Sequence, residues 1–273
     1  MSKKITFTAM ALVCLCAWLC AQEQTSGRLE SGQTWADKEF TASFDGTTQR
    51  YIEILPEGFD PAKKADLIVA LHGHGSDRTQ TFQERGECAA PRMIAQKYGA
   101  VLISPDYRAK TSWMGPAAEA DMLQLLAMMK QQYNIGRTIF VGGSMGGSSA
   151  LTFAALHPDL VDGVVVYNPT ANHLEYENFQ DAIAESFGGT KQQIPLEFKN
   201  RSAEYFPERF TMPLAVTVGG QDTTVPPQPV MRLAGIVEKL QPNVWMKYDP
   251  EGGHATGLED SLEALEFVFS RMP

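Results

Sequence analysis

The chain has 273 residues, of which 44% are hydrophobic and 20% charged, and its formal net charge is −9. This composition is that of a globular protein and excludes a disordered chain, and the length suits one α/β domain of ordinary size or two small ones. No basic stripe is visible in the sequence, so nucleic acid is not an expected partner.

The N-terminus has the pattern of a secretory signal peptide, which we place at residues 1–21. Lys3 and Lys4 form a short positive region, and the mostly apolar run that follows is shorter than the ~20 residues of a membrane-spanning helix. Ala21 supplies a small residue at the cleavage point. We therefore predict a secreted or periplasmic protein without a membrane span. A lipid anchor on Cys20 and an uncleaved leader are the alternatives.

Cysteine usage indicates that the fold is stabilised by a core. Cys14, Cys16 and Cys20 lie in or beside the leader, which leaves Cys88 as the one cysteine of the mature chain. One cysteine cannot form an internal disulfide. No strand-turn signature precedes Cys88, so we interpret it as a buried small hydrophobe, with a nucleophilic role as the alternative.

Strand and helix patterns alternate along the rest of the chain. Residues 22–34 are polar and predict a flexible tail, whereas 40–44 and 50–55 alternate around Asp45-Gly46 and predict a hairpin. Continuous apolar runs predict buried strands, and amphipathic stretches predict helices. The predicted strands are 66–71, 100–104, 138–141, 161–167, 213–218 and 244–248, and the predicted helices are 85–98, 117–133, 147–156, 231–240 and 258–272.

This alternation predicts a mostly parallel sheet of about eight strands with helices on both faces. We assign residues 35–273 to one such domain. The alternation of strand and helix patterns is interrupted after residue 168, where a long stretch carries several aromatic residues among charged ones. We interpret about 169–212 as a small helical cap inserted over the strand ends, with a long ordered surface loop as the alternative.

One stretch joins a short apolar strand to a helix through Gly142-Gly143-Ser144-Met145-Gly146. The pattern G-x-S-x-G in this context is typical of a nucleophile elbow, and an ordinary glycine-rich turn is the alternative. Glycines at 142 and 146 remove side chains that would collide with the neighbouring strand and helix. We therefore predict Ser144 as a nucleophile. The N–H of Met145 would be free to stabilise an oxyanion.

A serine hydroxyl needs a base to take its proton and a third group to orient that base. Asp222 and His254 each follow a predicted strand, at the edge where ligands bind in open α/β sheets. We predict that both act with Ser144. Asp249 is the alternative acid, but it lies too near His254 in sequence to reach the far ring nitrogen easily.

A second glycine-rich segment, His72-Gly73-His74-Gly75, directly follows the predicted strand 66–71. Glycines would let its backbone approach a substrate, so we predict that the N–H of His74 joins that of Met145 in an oxyanion hole. The side chain of His72 would then brace the loop. A metal site is the alternative, but no third ligand with suitable spacing accompanies the two histidines, and we predict no metal.

Two aromatic residues follow the predicted strand 100–104 and should border the same cleft. They are Tyr107, within Asp106-Tyr107-Arg108, and Trp113, within Ser112-Trp113-Met114. We expect either to contact substrate, with simple packing as the alternative.

The chain resembles the α/β-hydrolase superfamily, in the branch of secreted serine esterases and prolyl-oligopeptidase-like peptidases. The matching motifs are His72-Gly73-His74-Gly75, Gly142 to Gly147, Gly220-Gln221-Asp222 and Gly253-His254, in the family's order Ser, Asp, His. They span nearly all of the mature chain.

This resemblance implies an α/β-hydrolase fold and a cofactor-free ester hydrolase that forms an acyl-enzyme. Its expected substrates are small-molecule or carbohydrate esters, including acyl or feruloyl groups on carbohydrates. The sequence lacks the β-propeller that restricts access in oligopeptidases. The alternative to an esterase is a hydrolase of small peptides. A non-catalytic binding protein on the same scaffold is a remote alternative.

Overall fold

The computed structural model describes residues 25–272, so the predicted signal peptide lies outside the described residues. Within this range, no helix is both long and apolar enough to cross a membrane.

A single mixed sheet forms the centre of the described chain. Its strands are β1 (Ser26–Arg28), β2 (Thr34–Thr41), β3 (Thr48–Leu55), β4 (Ala65–Leu71), β5 (Val101–Pro105), β6 (Ile135–Gly143), β7 (Gly163–Tyr167), β8 (Leu214–Gly219) and β9 (Val244–Asp249). They are arranged in the order β1-β2-β3-β5-β4-β6-β7-β8-β9. Pairing is antiparallel from β1 to β5 and parallel from β5 to β9. The prediction of a mostly parallel sheet of about eight strands is therefore confirmed.

Helices cover both faces of this sheet. They are α1 (Gly86–Tyr98), α2 (Pro116–Gln132), α3 (Met145–Leu156), α4 (Gln180–Phe187), α5 (Pro195–Asn200), α6 (Gln228–Leu240) and α7 (Leu258–Arg271). One buried cluster joins one face of the sheet to α2, α3 and α6, and a second cluster joins the other face to α1 and α7. Because most strands are covered on both sides, their residues are almost all apolar, which is why the sequence shows them as continuous runs.

The prediction of a flexible tail at 22–34 is wrong for the residues that form β1. Ser26 lies opposite Ala36 in an antiparallel ladder with β2, and the side-chain amide of Gln33 donates to the carbonyl of Arg92 at 3.1 Å. Main-chain hydrogen bonds hold an edge strand whatever its side chains are, so a polar composition concealed this one. Cys88 is free and buried, as expected.

The segment 169–212 carries α4, α5 and two short 3₁₀ turns between β7 and β8. Its buried Arg201 connects it to the main domain, since one guanidinium nitrogen donates to the carbonyl of Met114 at 2.7 Å and another pairs with Glu119 at 2.7 Å. The aromatic rings of Phe187 and Phe198 pack edge to face inside the segment, with centroids 5.0 Å apart. The cap therefore has its own small core and is anchored beside α2.

Two stacked rings connect the strand and the helix that flank Ser144. Phe140 of β6 and Phe153 of α3 are fully buried, and their centroids lie 4.6 Å apart. We predict that Phe153→Ala lowers the free energy of unfolding by about 3–5 kcal/mol, because it leaves a cavity between β6 and α3.

Urea denaturation of Phe153→Ala and of the control Leu196→Ala measures this effect. Leu196 is 72% exposed, so its replacement should change stability by less than about 0.5 kcal/mol. Equal losses in the two variants would contradict the assigned packing.

Candidate active site

Ser144 occupies a sharp turn between β6 and α3. Its φ is 55° and its ψ is −123°, outside the favoured regions for a residue with a side chain. A Cβ on Gly142 would lie 2.5 Å from the carbonyl carbon of Gly146, and one on Gly146 would lie 2.1 Å from the carbonyl oxygen of Leu71. The Ser144 N–H donates to the carbonyl of Tyr167 at 2.8 Å. The turn can therefore close only with glycine at these positions, and it presents the Ser144 hydroxyl at the sheet edge.

The structure brings Ser144, His254 and Asp222 together in one chain of contacts. Nε2 of His254 lies 2.9 Å from Oγ of Ser144, and Nδ1 lies 2.6 Å from Oδ2 of Asp222. Oδ1 of Asp222 accepts the N–H groups of Thr224 and Val225, each at 2.9 Å. An ionised carboxylate only accepts hydrogen bonds, so Nδ1 of the imidazole carries the proton and Nε2 faces the hydroxyl with its lone pair. This arrangement can remove the proton of Ser144.

Asp249, the alternative acid, does not approach His254. Its Oδ1 accepts the N–H of Glu251 at 3.1 Å, within the turn that follows β9. Asp222 is the aspartate whose carboxylate lies beside the imidazole.

Asn168, which the sequence analysis did not single out, connects the strand ends that carry Asp222 and His254. Its Oδ1 accepts the N–H of Gly219 at 2.9 Å, and its Nδ2 donates to Oγ1 of Thr256 at 3.2 Å. Its φ is 48°. A polar residue directly after a buried strand was the signal that located Asp222, and the same signal at the end of β7 would have found Asn168.

Two backbone N–H groups near the serine have no acceptor among residues 25–272. Met145 is the first residue of α3, so its N–H has no carbonyl one turn back in the helix. The N–H of His74 donates to no other residue between 25 and 272. Together these N–H groups can receive negative charge that develops beside Ser144.

Three hydrogen bonds from other parts of the chain hold the segment 72–75 in place. The buried side chain of Gln80 accepts the N–H of Gly73 at 3.0 Å, and the hydroxyl of Tyr107 donates to the carbonyl of His72 at 2.6 Å. The N–H of Gly75 donates to the carbonyl of Lys110 at 2.7 Å. Gln80 was also missed by the sequence analysis, because it lies outside any motif.

The ring of His72 is buried beneath this segment. Its nitrogens lie 2.9 Å from the carbonyl oxygen of Gly73 and 3.2 Å from that of Asp106. Burial lowers the pKa of His72, so the ring is neutral near pH 7 and donates its one proton to a backbone carbonyl. The predicted bracing role fits this geometry.

Tyr107 and Trp113, which we expected to contact substrate, are both in the core. They are 1% and 0% exposed, and the indole N–H of Trp113 donates to Nδ1 of His74 at 3.2 Å. Both pack against the segment 72–75 from within the core, Tyr107 on His72 and Trp113 on His74. This agrees with simple packing, which was the alternative to substrate contact. The sequence places both residues at a strand end. Their φ angles of 30° and 51°, and therefore the direction of their side chains, cannot be predicted from it.

Backbone strain in the described chain is concentrated in the loops of this region. Seven residues other than glycine between 25 and 272 have a positive φ, and they are Tyr107, Arg108, Trp113, Met114, Ser144, Asn168 and Phe179. Such conformations cost about 1–3 kcal/mol each and persist where the surrounding structure enforces them. Their concentration here marks the loops that position the site.

A cleft of about 370 Å³ opens directly over Ser144 and His254. Its other lining residues are mostly polar or glycine, namely Gly73, His74, Gly75, Ser76, Gln80, Gln83, Arg85, Glu87 and Gly143. Burial raises the pKa of Glu87, and the guanidinium of Arg85, 2.8 Å away, opposes that shift. Among residues 25–272, no group of three or more His, Cys, Asp or Glu side chains is placed to hold a metal ion.

The comparisons with known proteins agree with this architecture. The family model described as alpha/beta hydrolase fold matches residues 71–214, which include β5, β6, the turn at Ser144, β7 and the cap. The chain therefore belongs to the α/β-hydrolase fold family, as the sequence resemblance implied. A comparison with curated protein sequences gives no match.

Solved structures with the same fold include peptidases and esterases. A putative dipeptidyl aminopeptidase IV from Bacteroides ovatus superposes with a TM-score of 0.71 at 18% identity, over 89% of this chain but 36% of that one. An S-formylglutathione hydrolase from Agrobacterium tumefaciens gives 0.71 at 14%, over 92% and 99% of the two chains. An acetyl xylan esterase from Paenibacillus sp. R4 gives 0.70 at 14%, over 90% and 88%.

The approach of Gly146 to β4 makes a direct prediction. Gly146→Ala should lower the free energy of unfolding by at least about 2 kcal/mol, because the added methyl group meets the backbone of Leu71 and cannot be accommodated by rotating a side chain.

Gly235→Ala in α6 is the matched control, since nothing lies within 4 Å of a Cβ there. It should stabilise the protein by about 0.5–1 kcal/mol, as alanine replaces glycine inside a helix. Thermal and urea unfolding compare the two variants, and a neutral Gly146→Ala would refute the steric account of the turn.

Proposed function

We propose that the protein is a serine carboxylic-ester hydrolase that works through an acyl-enzyme. The observation that carries this proposal is the continuous contact from Asp222 through His254 to the hydroxyl of Ser144. A non-catalytic binding protein would have no need to keep a strained serine against an oriented imidazole.

In the proposed reaction, Oγ of Ser144 attacks the ester carbonyl while Nε2 of His254 takes its proton. Asp222 holds the imidazole and stabilises its positive form. The N–H groups of His74 and Met145 stabilise the oxyanion of the tetrahedral intermediate. His254 then gives the proton to the leaving alcohol, and a water molecule activated by the same imidazole releases the acid.

Esters of carbohydrates are the substrates that we favour, with acyl or feruloyl groups as the acid part. The structural likeness to an acetyl xylan esterase supports this choice, and so does the polar lining of the cleft, which offers hydrogen-bonding partners to hydroxyl groups. Secretion after cleavage near Ala21, or anchoring through Cys20, would place the enzyme where such polymers occur.

Hydrolysis of small peptides is the second candidate, because the chain also superposes on a putative dipeptidyl aminopeptidase IV. The same residues would act on an amide, with His254 protonating the leaving amine. Initial rates on a panel of acetylated sugars, feruloyl esters and aminoacyl amides separate the two. Faster turnover of the amides would favour the peptidase.

We predict that Ser144→Ala and His254→Ala each lower kcat on p-nitrophenyl acetate by about 10⁴-fold or more. Nucleophile and base act as a unit, so the double variant should be no slower than either single variant. Steady-state kinetics with matched circular dichroism spectra test this, and turnover that survives in Ser144→Ala would eliminate the serine mechanism.

A pair of conservative changes tests the acid. Asp222→Asn should lower kcat by about 10⁴-fold, because an amide no longer holds the imidazole in the tautomer that accepts the serine proton. Asp249→Asn, the matched control at the other strand end, should retain kcat within about threefold. The opposite ranking would reassign the acid to Asp249.

A further inference from the structure

The loop that carries His254 has few main-chain anchors near the imidazole. The carbonyls of Gly252 and Gly257 accept main-chain N–H groups at 2.8 and 3.0 Å. Between these two points, residues 253–256 form no hydrogen bond from main chain to main chain within the described range 25–272. In this stretch, hydrogen bonds that fix the loop must therefore involve side chains.

Thr256, two residues after His254, supplies the side chain that ties this stretch to the sheet. It is buried, and its Oγ1 lies 2.7 Å from Oγ1 of Thr217 in β8. The same atom lies 3.2 Å from Nδ2 of Asn168, which directly follows β7. The hydroxyl of Thr256 thus joins the loop to two neighbouring strands.

Asn168 extends this connection to the segment that leads to Asp222. The N–H of Gly219 can only donate, so the amide atom that faces it at 2.9 Å is the oxygen Oδ1. Nδ2 is therefore the atom that faces Thr256, and it donates to the hydroxyl. The N–H of Asn168 also donates to the carbonyl of Thr217 at 2.8 Å. One amide thus bridges the strand end before Asp222 and the loop that contains Thr256.

The three side chains of this network are polar although they are buried. They are 3% exposed for Asn168, 4% for Thr217 and 7% for Thr256. Burying such groups is unfavourable unless they are hydrogen-bonded to one another, and apolar side chains of the same shape could fill the space without that requirement. Asn168 also has a φ of 48°, a conformation that persists where the surrounding structure enforces it. Packing alone therefore does not account for this network.

We propose that Asn168 and Thr256 are positioning residues that hold the imidazole of His254 against Asp222. Nδ1 of His254 lies 2.6 Å from Oδ2 of Asp222, and a small displacement of either loop would lengthen this contact. The proposal rests on the proposed function, because it assigns the network to the base and the acid of that reaction. Neither Asn168 nor Thr256 lines the cleft over Ser144, so the expected loss on substitution is in kcat and not in KM.

Two substitutions of Thr256 test the role of its hydroxyl. Thr256→Val keeps the shape of the side chain but removes the hydroxyl, and it should lower kcat on p-nitrophenyl acetate about 10- to 100-fold with KM nearly unchanged, because the imidazole is displaced. Thr256→Ser keeps the hydroxyl and should retain a kcat close to that of the wild type.

Thr152→Val is the matched control for the loss of a buried hydroxyl. Thr152 lies in α3, and its hydroxyl donates to the carbonyl of Arg201 at 2.8 Å. This variant loses one buried hydrogen bond, as Thr256→Val does, but away from the loop of His254. It should leave kcat unchanged.

The proton NMR signal of Nδ1–H of His254 reports on the contact with Asp222 without any substrate. A short hydrogen bond to a charged oxygen shifts this signal far downfield, and its absence in His254→Ala assigns it. The signal should move upfield in Thr256→Val, and also in Asn168→Gly, which tolerates the positive φ but lacks the bridging amide. It should stay in place in Thr256→Ser and Thr152→Val.

The NMR signal separates failure of this proposal from failure of the proposed function. An unmoved signal in Thr256→Val would overturn the positioning role, and so would equal losses of kcat in Thr256→Val and Thr152→Val. If the wild type hydrolyses no ester, the proposed function is wrong, and the signal alone then decides whether the network positions His254.

Discussion

The site depends on one close approach of two backbones, that of Gly146 at the start of α3 to the carbonyl of Leu71 at the end of β4. A Cβ at 146 would lie 2.1 Å from that oxygen, so the contact exists only because the side chain is absent. The contact places the first turn of α3 directly against the segment that follows β4. Met145 and His74, which belong to distant parts of the sequence, are the two residues whose N–H groups we propose for the oxyanion hole.

Most of the remaining contacts that organise the site use main-chain groups. The N–H of Ser144 is held by the carbonyl of Tyr167, and Asn168 spans from Gly219 to Thr256. The parallel sheet makes this possible, since its strands end at one edge and deliver Ser144, Asp222 and His254 from three different loops. Strained conformations in these loops are offset by the two buried clusters on either side of the sheet. Rigid strands thus supply the precision that a serine nucleophile requires.

Sequence patterns predict the structure where a residue type is dictated by sterics or by burial on both faces of the sheet. Gly142 and Gly146 identify the turn because no other residue fits, and the strands from β4 to β8 are visible as apolar runs. Such patterns do not predict features that depend on main-chain pairing or on the direction of a side chain. The polar strand β1 is held by its backbone ladder, and Tyr107 and Trp113 turn into the core although their positions at a strand end suggested the cleft. Gln80 reaches the site by a tertiary contact with Gly73 that no local pattern records.

The central claim is that His254 makes the hydroxyl of Ser144 nucleophilic, and covalent labelling tests it most directly. Intact-mass spectrometry after brief exposure to a fluorophosphonate, followed by peptide mapping, should find one adduct per chain, located on Ser144. In His254→Ala, a folded variant should label at least about 100-fold more slowly, because the serine has lost its base. An adduct at another residue, or undiminished labelling in His254→Ala, would contradict the account.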